Sequence, residues 1–363
     1  MTPIKRIAIN TGGGDAPGLN AVIRAAVLAA LHEGWEVYGI KNGYEGLLED
    51  DGLIELDEHS VSGITHRGGT ILGTSNRGNP LEYPMTDSDG TVRTVDRSDE
   101  VVEQFRRKGL DALIAIGGDG SLSIAHQLAL KGLPVVGIPK TIDNDLDATL
   151  VTFGFHTAVQ TASDAIDKLH STAESHQRVM VVEVMGRNTG WIALVAGVAG
   201  TADVILMPEI PYDMASVARK IEERYAFGPR FAIVVVAEGA LPRDGAASFL
   251  EDAAPGRAAR YGGIAEQVAD EIEAATGRET RSLVLGHLQR GGQPTAYDRI
   301  LSLRFGAAAI RLVAAGEFGC MTALVPPNIA AVPLQEALGS VKGVPLDGDL
   351  VQTARCLEIC LGD

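Results

Sequence analysis

With 363 residues, 45% of them apolar, the chain can build one large or two ordinary α/β domains with ample core. A net charge of −16 and only 5% aromatic residues argue against nucleic-acid partners, since phosphate backbones would be repelled and few rings could stack on bases. Three cysteines (Cys320, Cys356, Cys360) make no disulfide framework, nothing approaches a membrane span, and no charged-then-apolar leader is present, so a reducing, cytoplasmic setting is expected.

Residues 5–10 carry Ile7 and Ile9 and predict a first strand that ends in Thr11-Gly12-Gly13-Gly14-Asp15-Ala16-Pro17-Gly18. A helix follows, with Leu19, Val22, Ile23, Ala26, Val27 and Ala30 at helical spacing, and residues 36–40 complete a βαβ unit. A dinucleotide site is rejected: the third glycine of G-x-G-x-x-G would fall at Pro17, and the second strand ends in Ile40-Lys41-Asn42 with no acid for a ribose. What remains is a loop whose amides approach phosphate, with Gly14 best placed because it lacks a side chain. Residues 61–80 alternate glycine, hydroxyl and basic residues and read as a ligand loop in which Arg77 is either a contact or a solvated charge. Residues 84–97 are polar and expected to be exposed; Ser98 then caps a helix with Val101, Val102 and Phe105 facing inward, ended by Gly109.

Two adjacent parallel strands are expected next. Residues 111–116 enter Gly117-Gly118-Asp119-Gly120-Ser121 and a helix to about 131, and residues 134–138 enter Pro139-Lys140-Thr141-Ile142-Asp143-Asn144-Asp145. Each loop alone could be an Asx-rich turn. Together, at the carboxyl edge of one sheet where α/β proteins bind ligands, Asp119, Asp143 and Asp145 would repel one another without a cation, a combination suited to a metal-bound polyphosphate.

The second half repeats the grammar. A core-facing helix over 155–171 is followed by Ser175-His176-Gln177-Arg178, a strand over 179–184, and Met185-Gly186-Arg187-Asn188-Thr189-Gly190 before the next helix. Strands are predicted over 204–207 and 231–237, the latter reaching Glu238-Gly239, with Asp213 capping a helix between them. Residues 240–262 lack periodicity and read as a surface excursion without assigned chemistry. A helix from about 264 leads to a strand over 282–285 and then Gly286-His287-Leu288-Gln289-Arg290-Gly291-Gly292, where His287 and Arg290, with Arg281 before the strand, suggest an anion pocket. Ile300, Leu303, Ala307 and Ile310 mark another long helix; the tail adds one strand and one or two helices, with Cys356 and Cys360 one turn apart on the last.

Taken in order, Gly13 to Asn20, Gly117 to Ser121, Thr141 to Asp145, Ser175 to Arg178, Met185 to Arg187 and Gly286 to Gly292 resemble, nearly end to end, the 6-phosphofructokinases of the phosphofructokinase A family, including its mixed pyrophosphate/ATP subgroup. The resemblance implies two Rossmann-like three-layer α/β/α domains with mostly parallel sheets and the active site in the cleft between them. Residues 1–154 plus about 292–342 would bind the donor; residues 155–291 plus about 343–363 would bind the sugar. The implied reaction transfers a phosphoryl group to the 1-hydroxyl of fructose 6-phosphate. Asp143 would be the base; Thr141, Arg187 and the Gly14 amide would stabilise the moving group; Mg²⁺ would be held by Asp119 and Asp145. Gly13, Gly14, Arg77, Gly118, Asp119, Gly120, Ser121 and Lys140 would meet the donor. Thr141, Asp143, Arg178, Met185, Gly186, Arg187, Glu238, Arg281, His287 and Arg290 would meet the sugar phosphate. Residues matching Arg178 and Arg281 reach across a subunit boundary in the family, implying a homodimer or homotetramer with shared sites.

Two departures qualify the match. Pyrophosphate users usually pair an acid at position 120 with lysine at 140, and ATP users carry glycine at both; this chain has Gly120 with Lys140. An acid at 120 would intrude on the α-phosphate of a nucleotide, so ATP is favoured, with pyrophosphate, and sedoheptulose 7-phosphate as a further acceptor, as the alternative. A non-catalytic sugar-phosphate-binding subunit would be free to lose the acids that are all present here. Where bacterial relatives line an effector site with bases, Arg24 stands beside Leu28 and Glu58, so weak or absent control by ADP or phosphoenolpyruvate is expected.

Overall fold

A computed structural model of the chain describes residues 4–75, 78–87, 90–228, 230–245, 248–251 and 260–363. The first half runs β1 (Arg6–Thr11), α1 (Leu19–His32), β2 (Glu36–Ile40), β3 (Leu53–Glu55), β4 (Tyr83–Thr86), β5 (Val92–Val95), α2 (Ser98–Arg107), β6 (Ala112–Gly117), α3 (Asp119–Leu130), β7 (Val135–Thr141) and β8 (Phe153–Gly154). The second runs α4 (Phe155–His176), β9 (Val179–Val184), α5 (Trp191–Ala199), β10 (Val204–Leu206), α6 (Met214–Phe227), β11 (Ala232–Ala237), β12 (Phe249–Glu251), β13 (Arg260–Tyr261), α7 (Ile264–Thr276) and β14 (Thr280–Val284). The late chain adds α8 (Ala296–Ala315), β15 (Cys320–Val325), β16 (Asn328–Pro333), α9 (Leu334–Ala337) and α10 (Asp349–Cys356).

Two sheets result. The first has the order β16-β15-β7-β6-β1-β2-β3, parallel from β15 to β2 with antiparallel edges, and β8 pairs the end of β7. Every residue of β6 is buried, as expected of a parallel strand covered on both faces. Ile7, Ile9 and Ile114 pack toward α1 and α8, while Ala8, Leu113 and Ala115 pack toward α2 and α3. The second sheet, β10-β11-β9-β14, is wholly parallel. Its Val182, Ile233 and Val235 meet α4 and α5, and Val181, Val234 and Val236 meet α6 and α7. One apolar cluster holds residues of both sheets, so the two α/β/α layers share a core along their seam.

Several predicted details shift. β7 extends through Lys140 and Thr141, because β8 supplies backbone partners for both. The described residues of the 84–97 stretch are exposed or partly exposed as expected, yet they pair as β4 and β5. Ser98 is the first residue of α2, and the Asp96 carboxylate accepts from its amide at 2.8 Å in the capping role. Ser175 and His176 close α4 rather than following it, and Arg281 lies inside β14. α8 forms as expected; of the residues that mark it Ile310 is buried and Ile300 is 59% exposed, and Leu301, Phe305, Ala309 and Val313 also face the core. The tail gives an antiparallel strand pair, and Cys360 falls past the end of α10, bridging Val204 as a short extension of the second sheet. Asp213 caps α6 as predicted, accepting from the Ala215 amide at 3.0 Å. Among the described residues no helix is long and apolar enough to cross a membrane.

Candidate active site

The carboxyl ends of β1, β6 and β7 from the first sheet converge with those of β9, β11 and β14 from the second. The Gly12 amide donates to the Ile116 carbonyl at 2.9 Å, locking the first loop to the end of β6. Ser121, in the first turn of α3, packs against that loop so closely that a Cβ on Gly12 would lie 2.5 Å from its Oγ. Gly13 adopts φ +75 and its amide donates to the Ser75 carbonyl at 3.2 Å. Lys140 is buried at the end of β7 and donates to the Gly14 carbonyl. Burial and the nearby Arg290 guanidinium push its pKa down to about 8, opposed by Asp143, Asp15 and Asp145. A fixed ammonium therefore underlies the glycine loop.

The Asp143-Asn144-Asp145 turn follows directly. Asp143 is 3% exposed; its amide donates to Thr141 Oγ1 at 3.0 Å, and the Thr141 hydroxyl donates to its Oδ2 at 3.3 Å. Asn144 takes the left-handed conformation, φ 54, which asparagine tolerates. The Oδ1 atoms of Asp143 and Asp145 are buried with no hydrogen-bond partner among the described residues. Burial, and then the charge of Asp143, lift the Asp145 pKa to about 6, with Arg187 and Thr141 opposing. Two orphaned carboxylate oxygens on neighbouring turn residues are a site awaiting a proton or a cation.

From the second sheet, Glu238 follows β11 and accepts from the Arg187 amide at 2.9 Å and the Gly186 amide at 3.3 Å. Its pKa is lifted to about 7, first by burial, with Asp143 adding to the rise. These bonds hold Arg187 at φ 50 with its side chain exposed to the cleft's solvent. The Met185 amide donates to Gln289 Oε1 at 2.8 Å, and the short 3-10 turn Gly286–Gln289 presents His287 at the surface. Arg290 crosses to the first sheet, donating to the Asp15 carbonyl at 3.2 Å and lying over Gly14, where a Cβ would stand 2.7 Å from its Nη1. The Thr189 hydroxyl reaches the Asp143 carbonyl at 3.2 Å, a second tie across the seam.

Two predicted sugar-phosphate residues are elsewhere. Arg178 precedes β9 and Arg281 is the second residue of β14, so both lie at the amino edge of the sheet, about 20 Å from the cleft for a six-residue strand. They share Glu279, at 3.1 and 2.7 Å. On the donor side Asp119 and Gly120 open α3 and are exposed, Gly118 abuts the Lys140 carbonyl, and a Cβ at Gly120 would meet nothing within 4 Å. Arg77 lies outside the described residues. No group of three or more His, Cys, Asp or Glu capable of holding a metal occurs among the described residues. The unpartnered Oδ1 of Asp145 nevertheless suits Mg²⁺, which takes one or two carboxylates and completes its octahedron with water and phosphate. The sequence reading missed Lys342, whose ammonium donates to Asn144 Oδ1 at 3.1 Å, and Glu209, which accepts from the Gly190 amide at 3.0 Å.

Comparison with known proteins points to one family. The phosphofructokinase family model matches residues 6–313. The chain is 51% identical over 367 residues to "ATP-dependent 6-phosphofructokinase 2" of Clostridium perfringens, covering 100% of both chains. It is 51% identical to "ATP-dependent 6-phosphofructokinase" of Chloroflexus aggregans, covering 99% of this chain and 98% of that one. Among solved structures, Pichia pastoris phosphofructokinase in the T-state superposes with a TM-score of 0.80 at 30% identity, over 99% of this chain and 37% of that one.

Proposed function

The chain belongs to the phosphofructokinase family, and on that premise we propose that it transfers the terminal phosphoryl group of ATP to the 1-hydroxyl of fructose 6-phosphate, giving fructose 1,6-bisphosphate and ADP. The observation that carries the chemistry is the buried, unpartnered Oδ1 of Asp143. The Thr141 hydroxyl and the Asp143 amide fix the carboxylate through Oδ2 and the backbone, leaving Oδ1 to accept the proton of the attacking alcohol. Arg187 and the Gly14 amide would supply donors matched to the charge shared over a phosphoryl group in flight. Asp145 and Asp119 would hold Mg²⁺, which when bound neutralises donor phosphate charge.

The open space beside Gly120, where a Cβ would meet nothing within 4 Å, supports a nucleotide donor. The competing pyrophosphate reading keeps only Lys140 in its favour, and that ammonium is engaged by the Gly14 carbonyl. Initial rates with ATP and with pyrophosphate at matched concentrations test the assignment. Faster turnover with pyrophosphate would overturn it.

The sugar 6-phosphate would be gripped by His287 and Arg290 of one subunit and Arg178 and Arg281 of another. The distance of the last two from the cleft supports a composite site, and so does β14, an edge strand exposed from Arg281 to Val284. A homo-oligomer, dimer or tetramer, is part of the proposal, as are cytoplasmic action and the domain bounds given above. Weak effector control fits Arg24, whose guanidinium is already bonded to the Val61 carbonyl at 2.8 Å.

A further inference from the structure

Lys342 lies in the late chain, 198 residues from Asn144, in the short stretch between α9 and α10 that has no periodicity of its own. Its half-buried ammonium is ringed by three oxygens: Asn144 Oδ1 at 3.1 Å, the Thr149 carbonyl at 2.9 Å and the Leu150 carbonyl at 2.7 Å. It also stands 5.6 Å from the centroid of the Trp191 ring. The backbone of the same residue works in both directions. Its amide donates to the Asp145 carbonyl at 3.0 Å, and its carbonyl accepts from Trp191 Nε1 at 2.8 Å, so one residue ties the Asp143-Asn144-Asp145 turn of the first sheet to the start of α5 in the second.

A ring of carbonyl and amide oxygens around a compact positive charge is the coordination a monovalent cation takes. We propose that the Lys342 ammonium is a tethered cation that fixes the Asp143-Asn144-Asp145 turn, making Lys342 a positioning residue for phosphoryl transfer. Asn144 Oδ1 also accepts from the Thr152 amide at 3.2 Å, so both sides of the left-handed residue are pinned. Without the ammonium, two carboxylates with orphaned buried oxygens would be free to move apart. The hydrogen bonds of Lys342 all go to the chain's own groups, so the role assigned to it is positional. The inference rests on the kinase reading above.

Lys342→Ala and Lys342→Met test it. Loss of such an outer contact should lower kcat about 10- to 100-fold, with KM for both substrates changed by about twofold or less. Methylammonium should restore kcat several-fold in the alanine variant, by refilling the oxygen ring, and not in the methionine variant, whose side chain fills the path. Wild-type kcat in folded Lys342→Met, or a loss in Lys342→Ala that methylammonium does not recover, overturns the proposal. Should the alanine variant fail to fold, the methionine variant decides by its kcat. Hydrogen exchange read in parallel should rise over residues 141–152 in Lys342→Met; unchanged exchange there refutes the role even if the unaltered chain shows no kinase turnover, an outcome that would instead sink the kinase reading.

Discussion

Asp145→Asn should make the fold more stable while disabling the site. Burial and the Asp143 charge lift Asp145 from 3.8 to about 6. The folded chain thus resists ionising a group that the unfolded chain ionises freely. At about 1.4 kcal/mol per unit, ionised Asp145 costs the fold roughly 3 kcal/mol at pH 7.5. Because the folded pKa is the raised one, this cost is absent below about pH 3, grows as pH climbs from about 4 to 6, and is constant above. Urea unfolding in EDTA should therefore show Asp145→Asn about 2–3 kcal/mol more stable than wild type at pH 7.5, and about half that at pH 5. Mg²⁺ should narrow the gap by stabilising only the wild type. Turnover should fall by roughly 10² or more. An asparagine variant less stable than wild type at pH 7.5, or a gap that widens on acidification, would refute the electrostatic account.

Gly120→Asp should fold normally, since its Cβ enters open space, and should depress kcat/KM for ATP far more than for pyrophosphate; equal losses would remove the steric argument. Gly14→Ala should leave the melting temperature nearly unchanged, because only the flexible end of Arg290 must move, yet raise KM for fructose 6-phosphate; an unchanged KM would free Arg290 from the sugar site. Mixing Asp143→Asn subunits with Arg281→Ala subunits, each inactive alone, should regenerate activity in hybrids that pair an intact base with an intact arginine; no recovery would argue for sites confined to one chain.

The parts of the site legible in the sequence were those written locally. Strand, glycine loop and helix follow one another within some twenty residues at β1, β6 and β9, and hydrophobic period marks them. The Thr141-Ile142-Asp143-Asn144-Asp145 run announces its chemistry by composition. What escaped depends on partners remote in sequence. Lys140 and Thr141 belong to β7 only because β8 arrives beside them. Lys342 is one lysine between Val341 and Gly343, and its meaning lies in oxygens from residues 144, 149 and 150. α8 is legible as a helix, but it is apolar on more than one side, with both α1 and the first sheet to cover, so four apolar residues at helical spacing do not define its buried face. The displacement of Arg178 and Arg281 from the cleft follows from strand direction, which sequence motifs do not state.

The late chain has a consequence for synthesis. β15 sits between β7 and β16 in the first sheet, and Cys360 adds to the edge of the second. At about 5–20 residues per second, β7 leaves the ribosome roughly 9–37 s before β15 does. Throughout that interval β7 has an open edge, and β10 keeps one until Cys360 emerges. Neither half can close on its own schedule, so the nascent chain must keep the β7 edge from pairing with its neighbours until residues 320–325 are made, and the β10 edge until about residue 360.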